Sequence, residues 1–221
     1  MADRDPEQDN LFKEIDEELR QEQYASLWKK YGNYIIGLIV VLVGSVAAFQ
    51  GWKAYDQNRR ADDSALYASA LKADANNKSE EALSILTKLQ TEGTEGYALL
   101  ARFNKAAVLA GKGDTAAATT EYTAIAADQS IDQLYRDLAT VFSALQELDK
   151  GDPSAINGRL QPLLSTSNPF RHTAKEISAL LAHRQGKVED AKKLFRELAD
   201  DVTAPGGVRA RAAEMSAILG G

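Results

Sequence analysis

From Tyr34 to Trp52 the chain runs nineteen residues without a charged side chain, YIIGLIVVLVGSVAAFQGW. As a helix this stretch is about 28 Å long, the thickness of a bilayer's hydrocarbon core. Trp28, Tyr31 and Tyr34 stand at one end and Phe49, Trp52 and Tyr55 at the other, where amphipathic rings favour the headgroup layer. Lys29, Lys30 and Lys53 flank it. The pattern admits a buried core helix, a cleaved secretion signal or an uncleaved anchor. A core helix rarely carries both aromatic girdles and basic flanks. Ser45-Val46-Ala47 has the small-x-small form of a cleavage site, yet the segment ahead is 33 residues long and acidic, whereas a signal starts short and basic. We therefore expect a transmembrane anchor over residues 34–52. Gly37, Gly44 and Gly51 recur every seventh residue, and Gly44 with Ala48 forms a small-xxx-small pair, a candidate contact face for another membrane helix. Lys and Arg are balanced on the two sides, so charge alone does not orient the span.

Ahead of the span, Asn10 to Lys30 lacks Pro and Gly and places Leu11, Ile15 and Leu19 at helical spacing. This predicts an amphipathic helix, either solvated or in contact with a membrane partner, behind a disordered stretch 1–9. After the span, over 53–221, apolar residues recur at three and four and alternation is scarce, so this part is all-α. Turn signals centred on Asn77, Gly113, Gly151 and Gly186 lie 36, 38 and 35 residues apart. Seven residues before each stands a small residue: Ala70, Ala106, Ala144, Ala179. Five after come Ala82, Ala118, Ile156 and Ala191; nine after, Leu86, Tyr122, Leu160 and Phe195; twelve after, Leu89, Ile125, Leu163 and Leu198. Such a period predicts about four antiparallel helical hairpins stacked as an α-solenoid, small residues allowing close approach and large ones filling the groove.

Local chemistry agrees with these boundaries. Asp114 and Asp152 can cap the helices that follow, Pro153 suits a first helical position, and Asn168-Pro169 opens the next hairpin. Pro162 conflicts with the carbonyl of Gly158, which predicts a kink in the third hairpin. Val208 to Leu219 reads as a final helix that covers the open end, with Arg209 and Arg211 outward.

Composition narrows the function further. The net charge is -6, and residues 1–33 carry nine acids against five bases, which leaves the remainder nearly neutral. Without a Lys/Arg cluster that remainder lacks the footprint of a nucleic-acid binder. There is no cysteine, so no disulfide, thiolate ligand or Cys nucleophile. Gly111-Lys112-Gly113-Asp114-Thr115 lacks the earlier glycine and the preceding strand of a phosphate loop and reads as a turn. His172 and His183 have no ligand cluster and read as surface or helix-end residues; Asp62-Asp63 and Glu80-Glu81 read as solvated faces. We expect no catalytic residue, cofactor or metal.

The repeat spacing, with Gly186 to Leu198 (GKVEDAKKLFREL) as its best unit, resembles the tetratricopeptide repeat. The whole layout adds an acidic tail, a span closing on Gly51-Trp52-Lys53-Ala54-Tyr55, a helix through Ser64-Ala65-Leu66-Tyr67, and Gly96-Tyr97-Ala98-Leu99-Leu100-Ala101 opening a hairpin. Over residues 25–221 it is similar to the YfgM family, ancillary subunits of the SecYEG translocon in the bacterial inner membrane. The resemblance implies a cytoplasmic amino terminus (1–33), one membrane helix (34–52) and a periplasmic repeat domain (53–221). It also implies work beside the translocon and a membrane-anchored periplasmic prolyl-isomerase-type chaperone, and no catalytic residues. The tail here is longer and more acidic than in that family, so no regulatory role is carried over to it. In such a stack the first helix of each hairpin lines a concave face, and Tyr67, Leu71, Phe103 and Leu145 are the candidates to hold a peptide there or to serve as core. Alternative expectations are a structural component of the cell envelope without client binding, and a repeat receptor facing the cytoplasm.

Overall fold

The structure, a computed structural model, describes residues 6–220, with side chains described from residue 20 onward except 21 and 23. Among them are nine α-helices, one 3₁₀ segment and no strand. The helices are α1 (Pro6–Ala75), α2 (Ser79–Glu92), α3 (Glu95–Gly111), α4 (Thr115–Ala127), α5 (Gln133–Gln146), α6 (Pro153–Leu160), α7 (Arg171–Arg184), α8 (Val188–Asp200) and α9 (Gly206–Ile218). A 3₁₀ segment, Gln161–Leu164, follows α6. The chain divides into two compact units, Met1–Asn58 and Arg59–Gly221, and α1 enters both.

In the first unit, tail, apolar stretch and the following charged segment are one uninterrupted helix. It begins at Pro6, inside the stretch expected to be disordered, while residues 1–5 and the side chains of Leu11, Ile15 and Leu19 lie outside the described residues. From Tyr34 to Trp52 every side chain is exposed. Ser45 is tolerated within this apolar run because its Oγ donates to the Val41 carbonyl at 2.7 Å, so its hydroxyl is satisfied inside the helix.

The second unit is the hairpin stack. α2 packs on α3, α3 on α4, α4 on α5, α7 on α8, and α8 on α9. All sixteen side chains at the four periodic positions are buried, from Ala70 and Ala82 in the first hairpin to Phe195 and Leu198 in the last. The alanines stand where helices approach closely, and the larger residues fill the space between neighbours. Four apolar clusters result, each joining adjacent helices and none running the length of the stack.

The turns follow from backbone sterics at three anchors. Asn77, Gly113 and Gly186 have φ of 60°, 82° and 72°, the left-handed conformation that ends a helix. Gly151 is needed for a different reason. A Cβ there would lie 2.7 Å from Cβ of Glu147 and 3.0 Å from Cδ1 of Ile156, so the third turn closes only without a side chain. Asp114 caps α4 by accepting from the Ala117 N–H at 3.0 Å, and Asp152 caps α6 by accepting from Ser154 and Ala155. Pro153 is the first residue of α6.

Two expectations are corrected. The kink at Pro162 is a change of helix type: the α-helical ladder stops at Leu160, and the proline sits in the 3₁₀ segment. Asn168-Pro169 does not begin α7, which starts two residues later. Asn168 instead accepts from the Phe170 N–H and donates to buried Asp137. Arg209 and Arg211 are exposed, as expected, and the Arg211 guanidinium also bonds both oxygens of Glu176 at 2.7 and 2.8 Å.

Candidate interaction face

The alternate helices of the second unit stand side by side. Asn104 on α3 donates through Nδ2 to the Tyr67 hydroxyl on α1. The Phe103 ring on α3 lies edge-on to Phe142 on α5, centroids 6.1 Å apart. Val141 and Ala144 on α5 share a cluster with Ala174, Ile177 and Leu181 on α7, and Glu176 on α7 holds Arg211 on α9. These contacts align one face of α1, α3, α5 and α7 as a row.

On α3 and α5 the residues left uncovered are mostly apolar, while α1 leaves Lys72 and Asp74 exposed beside Leu71 and α7 leaves Arg184 exposed. Beyond its first residue, the exposed positions of α3 are Gly96, Leu100, Ala107 and Gly111; those of α5 are Gln133, Leu134, Tyr135 and Leu145. None carries a charge. α2 exposes Glu80, Glu81, Lys88 and Glu92, and α8 exposes Glu189, Asp190, Lys193, Arg196, Glu197 and Asp200, whereas α4 and α6 expose no charged side chain. Leu71, Leu100, Leu134 and Leu145 remain 44%, 45%, 46% and 42% exposed. Covering the open part of each by an apolar partner is worth about 1 kcal/mol.

The four residues expected to line the face divide into two pairs. Leu71 and Leu145 occupy equivalent positions six residues before their turn anchors, and both are open. Tyr67 and Phe103, four residues earlier in their hairpins, are half-buried between helices. Tyr67 packs against Tyr97 with ring centroids 6.0 Å apart, and burial pushes its phenol pKa up, against the Asn104 hydrogen bond that lowers it. Phe103 joins Tyr122 and Phe142 in a three-ring cluster between α3, α4 and α5. Leu100 and Leu134 are not among the four residues that the sequence offers for this face. The signal for them was present, because they lie seven and eleven residues before Ala107 and Leu145 on the same helix stripes.

Several polar residues read from sequence as solvated have defined roles. Asp63 accepts from both the backbone N–H and the hydroxyl of Thr94, at 2.6 and 2.7 Å, and so fixes the start of α3. Glu80 pairs with Lys112 in the next turn. His172 lies at a helix end, in the first turn of α7, as one of the two placements expected, and is buried there. Its Nδ1 lies 3.5 Å from Asp201 and its Nε2 3.5 Å from the Thr203 hydroxyl, both in the α8–α9 connection. Burial and then Arg171 hold its pKa below the usual histidine range, against the opposing pull of Asp201. His183 is exposed in the last turn of α7. Gly111 to Thr115 forms the turn between α3 and α4.

The second candidate face lies in the first unit. Gly37, Gly44, Ala48 and Gly51 fall within an arc of roughly 60° on α1, given 100° per residue. A Cβ at any of the three glycines would meet no other atom within 4 Å. One helix among the described residues is long and apolar enough to cross a membrane, and its apolar window has no buried part. No group of three or more His, Asp or Glu side chains among the described residues could hold a metal.

No curated protein and no solved structure matches the chain. Residues 25–212 match the tetratricopeptide repeat-like domain, more than four fifths of the sequence. With the hairpin stack, the buried periodic positions and the open leucine row in place, the chain belongs to the tetratricopeptide repeat-like domain family.

Proposed function

We propose that this protein is a single-pass, membrane-anchored scaffold for protein interactions and has no catalytic activity. Residues 34–52 cross the membrane, 1–33 form a cytoplasmic tail, and 53–221 present the repeat face on the periplasmic side of a bacterial inner membrane. The observation that carries the reading is the uncharged leucine row left open on α3 and α5, on a chain that also bears a long apolar helix with no buried part. The similarity to the YfgM family supports a position beside the SecYEG translocon, next to a membrane-anchored periplasmic prolyl-isomerase-type chaperone. There the scaffold would help handle newly translocated chains. A few partly exposed leucines give weak contacts, and the span compensates by holding them near emerging chains at high effective concentration. Gly37, Gly44, Ala48 and Gly51 are the proposed contact face within the membrane.

Two measurements test this. Protease added to spheroplasts should digest the repeat domain while leaving the tail protected; the reverse pattern would make the protein a cytoplasm-facing receptor. Site-specific crosslinkers at Leu100 and Leu145 should capture translocating chains. Capture of envelope components alone would replace client handling with a structural role.

A further inference from the structure

Resting on the reading of residues 34–52 as a membrane span, we propose that Trp28 is a lipid-contact residue seated on Gly32. The seat carries its indole to the headgroup boundary of the bilayer and moves the tail-side edge of the membrane contact from Tyr34 to Gly32. It is visible in the packing of α1. From Tyr24 to Tyr55 every residue is exposed except Gly32, which is buried. A Cβ added there would stand 3.3 Å from Cδ2 and Cε2 of Trp28 and 3.4 Å from its Nε1, so the indole lies against the backbone of residue 32. Gly37, Gly44 and Gly51 differ, because a Cβ at any of them would meet nothing within 4 Å. Glycine weakens a helix interior, and at residue 32 the ring supplies the packing reason for it.

Direction and chemistry both point to lipid. Side chains on a helix lean toward its amino terminus, which would turn Trp28 away from the span. Here the ring reaches four residues the other way, and so lies about 6 Å closer to the span than its own Cα. Along the axis, Trp28 and Trp52 are about 36 Å apart between Cα atoms, and about 30 Å apart when counted from the seat at Gly32. A bilayer's hydrocarbon core has that thickness, about 30 Å. Trp52 stands at the far boundary, its ring 6.4 Å from that of Tyr55. Trp28 remains 59% exposed, and its indole N–H meets no acceptor among the described residues. A ring with one side on the backbone, the rest open and a donor to spare fits the glycerol and phosphate region. There lipid chains cover the ring, and ester or phosphate oxygens accept from the N–H. Lys30, whose Nζ lies 5.3 Å from the centre of the Tyr31 ring, falls in the same turn and places a cation where lipid phosphates lie.

The test uses the full chain in phosphatidylcholine nanodiscs, where Trp28 and Trp52 are the only tryptophans. With Trp52→Phe, Trp28 fluorescence should be quenched more by lipid brominated near the ester end of its chains than by lipid brominated near the methyl end, and little by acrylamide. Gly32→Leu and Gly32→Gln fill the seat with similar volume and opposite polarity. Both should move the Trp28 ring about 6 Å outward, read as bromine quenching lost and acrylamide quenching gained. Both residues are better helix formers than glycine, so the helix itself is kept. Trp52, read alone after Trp28→Phe, should keep its depth in either variant; a Trp52 that moves as well would mean that the whole helix slides, and would overturn the seat. An unchanged Trp28 depth in both Gly32 variants, or a change with glutamine only, would overturn it too. Trp28 quenched by acrylamide and not by bromine, with Trp52 quenched by bromine, would overturn the lipid contact and leave the span intact. Bromine quenching of neither tryptophan would overturn the span reading and the proposal with it.

Discussion

Phe195→Ala should unfasten one end of the repeat stack while leaving the other end in place. Phe195 is 1% exposed and packs within the cluster that joins α7, α8 and α9, among Ala179, Ala191, Leu198, Val208 and Ala212. Alanines on helix backbones in this cluster cannot swing in to fill the vacated space, while Leu180, Leu194, Met215 and Leu219 at its margin can take up part of it. Truncation of a buried phenylalanine costs about 3–5 kcal/mol. The loss is a large share of the stability of a modest domain, about 5–15 kcal/mol. Because each hairpin touches only its neighbours, the loss should be local first. Amide exchange read by mass spectrometry should rise sharply in α8 and α9 while α2 to α4 keep their protection. Urea unfolding followed by circular dichroism should show a lower midpoint. Fluorescence is unsuited, since Trp28 and Trp52 both lie in the first unit. A loss below about 1 kcal/mol, or an exchange increase of equal size in α2, would refute the packing argument.

Other outcomes follow from single contacts. Gly151→Ala should destabilise by about 1–3 kcal/mol through overpacking against Glu147 and Ile156, whereas a neutral melting temperature would mean that the third turn relaxes freely. Asp152→Ala should cost about 1 kcal/mol in urea titration, as two N–H groups of α6 lose their acceptor, and Asp152→Asn should recover most of it. His172 should make the stack sensitive to mild acid. Its pKa is lowered on folding, so its contribution is complete above the unfolded value near 6.5 and is lost as pH falls, when the unfolded chain takes up the proton first. The melting temperature of the native protein should therefore drop more between pH 7.5 and 5.5 than that of His172→Gln. A parallel drop in the two would exclude His172 as the cause.

Much of the architecture is legible in the chain because the repeat is a periodic solution to one packing problem. Wherever two helices must approach, a small residue is required, and wherever they diverge, a large apolar one. Ala106 and Tyr122 announce the second hairpin in the same way that Ala179 and Phe195 announce the fourth. The third hairpin departs at the residue where a local rule conflicts with the periodic one: Pro162 occupies a helical slot without a donor, and the chain resolves this with a 3₁₀ segment. Exposure within a helix is harder to read. Tyr67 and Leu71 sit four residues apart on one stripe, and only the neighbouring Asn104 and Tyr97 decide that the ring is half covered and the leucine open.

The sequence by itself determined the all-helical class, the hairpin period, the buried positions that repeat with it, and an apolar helix of bilayer length. These depend on spacing along one chain, and spacing is printed in the residues. Only the tertiary structure decided which charges are spent and which leucines are free. Asp63 capping α3 from α1, Arg211 gripping Glu176, and Arg184 closing on the end of α5 join residues 31 to 37 positions apart. Such partners are selected by where helices come to rest side by side, a consequence of the summed packing of the stack that no single stretch of the chain contains.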